Sequence, residues 1–78
     1  MVTITVEVSD VEIRALEFTG EDPQRWLQKA IKDRAQIAME YIARLYRRRA
    51  RKEGLETPIG IEAIVKDAFE RGWVSTEI

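Results

Sequence analysis

Residues 23–54, PQRWLQKAIKDRAQIAMEYIARLYRRRARKEG, contain no proline or glycine between the first position and the last. Pro23 suits the first position of a helix and Gly54 suits a helix stop. Between them Ile31, Ala35, Ala38, Ile42 and Leu45 recur at spacings of 4, 3, 4 and 3. Trp26, Leu27, Ala30, Ile37 and Tyr41 widen that apolar face. The period is helical and predicts one helix over about 23–53. Unbroken, such a helix would measure roughly 45 Å at 1.5 Å per residue. A compact globule of this length would be only about 30 Å across. The helix is therefore expected either to bend or to lay its Ile31, Ala35, Ala38, Ile42 and Leu45 face against a partner chain. Trp26, in register with Ala30, is expected to be a core anchor.

Upstream, TGEDP at residues 19–23 is a break. Gly20 suits a helix C-cap and Asp22 the next N-cap. Before it, Ser9 and Glu12 fit a capping box, and Val11, Ala15 and Phe18 form an apolar row. They predict a short helix over about 10–18. The first residues, VTITVEV at 2–8, alternate strictly: Val2, Ile4, Val6 and Val8 on one side, Thr3, Thr5 and Glu7 on the other. β-branched residues at period two predict a half-buried strand. A lone strand cannot satisfy its own backbone, so this one is expected to pair, through the face of Val2, Ile4, Val6 and Val8, with a second copy or with another protein. Downstream, LETPIG is a loop. A third helix is predicted over about 60–71, ending at Gly72, with VSTEI as a tail. The expected fold is mostly α (α+β), a single domain over residues 1–78.

The chain has 78 residues with no cysteine and no histidine. A zinc site would need carboxylates alone, and no disulfide can staple so small a core. Oligomerisation is then the expected source of added stability. No apolar run reaches membrane-spanning length. The first ten residues have neither the basic nor the apolar region of a secretory leader. A cytoplasmic (host cell) or virion-associated protein is expected. There is no Gly-rich phosphate loop, no metal-ligand spacing and no base–nucleophile pair. No enzyme, cofactor, metal or small-molecule substrate is expected.

The order strand, short helix, Gly-containing turn, long helix, over residues 2–34, resembles the ribbon-helix-helix family. In that family two chains pair their strands into an antiparallel ribbon. The resemblance implies a core-facing Val2, Ile4, Val6 and Val8, and DNA-reading positions at Thr3, Thr5 and Glu7. Those three differ from the Arg, Lys, Asn or Gln usual for base reading. More of the chain, residues 2–72, resembles short proteins of unassigned function encoded in tailed-phage structural and tail gene modules. Ala15–Leu16–Glu17, Pro23 with Trp26, Arg34–Ala35 with Ala38, and DAFERG carry this likeness. It implies no substrate and no catalytic residue. RRRARK is not part of that pattern.

The charge is segregated although the net formal charge is only −1. Residues 1–23 carry −5, residues 24–52 carry +8 and residues 53–78 carry −4. Six cations fall within residues 44–52. Arg44, Arg47, Arg48, Arg51 and Lys52 make an electrostatic contact face. Glu40 is placed to pair with Arg44 at i, i+4. Arg49 lies on the apolar stripe of Ala38, Ile42 and Leu45 and should mark where that stripe stops being buried. Tyr41 and Tyr46 could pack on the third helix or stack on single strands; packing is preferred. The preferred counterpart of the arginines is an acidic protein surface, including that of another copy; nucleic acid ranks second. The composite expectation is a non-enzymatic, homo-oligomeric structural or assembly-associated protein of a phage or prophage, meeting itself and other virion or assembly proteins. The alternative is a ribbon-helix-helix DNA-binding regulator.

Overall fold

The computed structural model describes residues 2–76. Glu77 and Ile78, the end of the expected tail, lie outside them. Three helices follow one another: α1, Asp10–Phe18; α2, Pro23–Glu53; α3, Ile61–Glu70. No strand occurs among the described residues, so the fold is all-α and the expected α+β class is corrected. Residues 2–8 form no backbone hydrogen bond among the described residues. One chain offers them no second strand, and a ladder needs two.

The starts of α1 and α2 follow from their capping side chains. Ser9 Oγ accepts from the Glu12 amide at 3.1 Å, and Glu12 Oε1 accepts from the Ser9 amide at 3.0 Å. This is the capping box expected from SDVE. Glu12 is held below the ordinary carboxylate range, first by its bond from the Ser9 backbone, then by the Ser9 hydroxyl. At α2, Asp22 Oδ1 accepts from the amides of Gln24 and Arg25, at 3.1 and 3.4 Å, with Pro23 next to it at the first helical position.

All three helices end the same way. Glu21 donates to the Leu16 carbonyl, Leu55 to that of Ala50 and Trp73 to that of Ala68, each across five residues. Gly20, Gly54 and Gly72 each donate to the carbonyl three residues back. This is the Schellman arrangement, which needs a left-handed residue at the turn. Gly72 supplies it with φ 71°, and the chain then folds back so that Trp73 packs on the core.

The chain divides into two compact units, one up to Lys32 and one from Asp33. The second holds the core. Ala43, Tyr46 and Ala50 of α2 are buried with Ile64 and Ala68 of α3, and Ile42, Ile61, Trp73 and Val74 pack around them. Alanines at 43, 50 and 68 remove side-chain bulk, so the two helices approach closely and Tyr46 and Ile64 fill what remains.

The first unit is different. No residue of α1 is buried. Ile13, Leu16, Pro23, Leu27 and Ala30 are only half-buried. Trp26 is 50% exposed and Phe18 91% exposed. Trp26 is thus no core anchor within the chain: the nine residues of α1 are too few to cover it.

Candidate functional site

Two sites in the second unit and one segment in the first have defined chemistry. The first site is centred on Asp67. Its Oδ2 accepts from the Tyr46 hydroxyl at 2.5 Å and from Arg71 Nε at 2.7 Å. Arg71 follows Asp67 at i+4, so the two align on one side of the C-terminal turn of α3. The Tyr46 ring lies 5.0 Å from the Trp73 ring, tilted by 43°. Two guanidiniums stand over Trp73, Arg49 at 4.5 Å and Arg71 at 5.4 Å from the ring centroid. Arg49 Nε is also 3.8 Å from Glu53 Oε1.

The Tyr46 hydroxyl, and then Arg71, hold the Asp67 carboxyl below its ordinary range. The same hydrogen bond pushes the Tyr46 phenol up. Both groups move away from neutrality. A general acid or base works best with a pKa near the working pH, so this pair is poorly suited to moving protons. The part-buried Tyr46–Asp67 bond ties α2 to α3. The sequence reading missed Asp67, Arg71 and Trp73. A usable signal was present: Gly72 followed by a large aromatic places that aromatic where a Schellman turn makes its apolar contact.

The second site is the basic face. Arg44, Arg47, Arg48, Arg51 and Lys52 are all exposed and together line one open recess of about 420 Å³. None of the five forms an ion pair or hydrogen bond among the described residues. The expected Glu40–Arg44 pair is absent among the described residues; Glu40 Oε1 accepts from the side-chain Nε2 of Gln36 at 3.1 Å. As expected, the apolar stripe stops being buried at Arg49, which is exposed. The buried face, Ala43–Tyr46–Ala50, lies roughly 90° round the helix from that stripe. Of that stripe, Ile42 and Leu45 are half-buried, whereas Ile31, Ala35 and Ala38 are exposed. Tyr46 is buried against α3 and Tyr41 is exposed.

In the N-terminal segment, exposure falls from 87% at Val2 to 48% at Val8, with Ile4 and Val6 between. Thr3, Thr5 and Glu7 are exposed as well. Among the described residues no group of three or more acidic side chains could hold a metal ion. No helix there is long and apolar enough to cross a membrane.

Comparison with protein-family models, with curated proteins and with solved structures returned no match.

Proposed function

We propose that this chain is a non-enzymatic, self-associating docking protein whose N-terminal segment makes the contact. One observation carries the reading: among its described residues the first unit buries no side chain, yet it exposes Val2, Ile4, Val6, Val8, Val11 and Phe18. Residues 2–8 also leave their amides and carbonyls without backbone partners among the described residues. An alternating apolar segment with free backbone groups is a template for strand addition. Antiparallel pairing with a second copy would satisfy the backbone and stack the valines and Ile4 across the pair. It would restore the ribbon expected from sequence. The exposed Ile31, Ala35 and Ala38 offer a further helical contact with a partner chain. The likeness to short phage-encoded proteins supports a structural or assembly-associated role in a phage or prophage, in the host cytoplasm or the particle.

Light scattering on the purified chain tests this. The expected mass at tens of micromolar protein is a dimer or higher oligomer. The double variant I4D/V6D, which places like charges across the paired strands, should reduce it to a monomer. A wild-type chain that is monomeric throughout that range would overturn the proposal.

A further inference from the structure

The five cations of the basic face present an unresolved electrostatic problem. Arg44 and Arg48, Arg47 and Arg51, and Arg48 and Lys52 are all i, i+4 pairs of like charge, and such pairs destabilise a helix. Two other cations of the second unit are paired, Arg49 with Glu53 and Arg71 with Asp67. Of the acids nearest this face in sequence, Glu40 accepts from Gln36 and Glu53 pairs with Arg49, and Glu56 forms no ion pair with the face among the described residues. The side chains diverge instead and leave the open recess between them. A polyanion seated there would remove the repulsion, and its binding would stabilise the helix end.

We propose that this recess binds the sugar–phosphate backbone of a nucleic acid without reading its bases. Four of the five cations are arginines, whose forked guanidinium matches a phosphate bidentately. Arg44 to Lys52 spans about 12 Å of helix axis. Over that distance one strand of B-form DNA carries about three or four phosphates. The face holds only cations, and contacts to phosphate fix position without specifying sequence. Tyr46, the aromatic nearest the arginine run in sequence, is buried against α3 and bonded to Asp67, and Trp73 already carries Arg49 and Arg71 over its ring.

The acidic N-terminal unit of another copy is a poorer match. Of its six acids, Glu12 and Asp22 are engaged in helix caps. Asp10 and Glu17 share one face of α1, but Arg14 stands between them at i+4 and i−3. A phosphate backbone offers uniform charge where that surface offers mixed charge. The inference does not depend on strand pairing.

Fluorescence anisotropy with a labelled single-stranded 20-mer, a duplex of the same length and a polyglutamate peptide tests it. With three phosphates neutralised, duplex affinity should fall about 40-fold between 50 and 200 mM NaCl, and single-strand affinity about 20-fold. Two unrelated DNA sequences should bind equally, and polyglutamate more weakly. The variant R44Q/R47Q/R48Q/R51Q should lose the binding. Glutamine keeps helix propensity, and circular dichroism checks the fold. The variant R44K/R47K/R48K/R51K should keep a salt dependence of similar slope. Three results would overturn the proposal: no DNA binding at 50 mM NaCl, unchanged binding by the glutamine variant, or polyglutamate bound as tightly as DNA. I4D/V6D leaves all four arginines in place, so its mass and the DNA affinity of the glutamine variant report separately.

Discussion

Tyr46 and Asp67 lie 21 residues apart, and the Tyr46 hydroxyl donates to Asp67 Oδ2 at 2.5 Å. The bond joins the middle of the α2–α3 core to the end of α3, where Arg71 completes the group. Y46F should keep the ring against Trp73 and lose only this donor. Asp67 would retain Arg71, so the variant should fold and melt at a modestly lower temperature. I64A removes a buried side chain from the same core and should cost about 2–5 kcal/mol. Urea unfolding should rank I64A well below Y46F. An equal loss from Y46F would mean that the hydrogen bond contributes as much as the packing of Ile64 does.

The same pair predicts how stability varies with pH. Asp67 is held below its unfolded value. Its contribution is therefore present above about pH 4 and is lost as pH falls through the depressed value. Tyr46 is pushed up, so the folded state favours the neutral phenol. That contribution is present below about pH 10 and is lost as pH rises through the raised value. D67N should weaken both limbs of a plot of urea midpoint against pH. A residual acid limb from Glu12 should remain, since the capping box depresses that carboxyl independently. A D67N profile identical to wild type would show that the pair does not couple folding to protons.

The helix boundaries were legible because they depend on neighbours in sequence. Ser9, Glu12, Asp22 and the glycines at 20, 54 and 72 act within five residues of themselves, and each does what its local chemistry demands. Which face of α2 is buried was not legible. The apolar stripe Ile31–Leu45 and the buried set Ala43, Tyr46 and Ala50 are both compatible with the helical period. Only docking of α3 selects between them. Alanine is a weak hydrophobic signal, yet it permits the close approach that lets Tyr46 reach Asp67. The strand expected over residues 2–8 needs a second strand, and one chain offers none among the described residues. The basic face was legible as a set, because i, i+3, i+4 and i+7 positions share one side of any helix.

Trp73 depends on Gly72. The turn at φ 71° brings the indole between Tyr46 and the guanidiniums of Arg49 and Arg71. G72A should cost about 1–2 kcal/mol, the order of the left-handed penalty for a residue with a Cβ. The tryptophans give a direct readout. In W26F the remaining Trp73 should emit at shorter wavelength than the exposed Trp26 left in W73F. Adding G72A to W26F should shift the emission red if the turn is what seats the ring.

The capping box bears an unusual share of the first unit's order. α1 has nine residues and none is buried, and an isolated helix that short is marginal in water. Packing supplies little here, so the two reciprocal bonds between Ser9 and Glu12 should matter more than they would in a buried helix. S9A removes the side-chain half of the box and should cost about 1 kcal/mol of local helix stability. Backbone amide exchange followed by NMR would locate the loss. Amides of residues 12–18 should exchange faster in S9A, while those of Tyr46, Ala50, Ile64 and Ala68 keep their protection. Faster exchange in both sets would mean that the core depends on α1. No change in either would mean that α1 is held by contacts other than its cap.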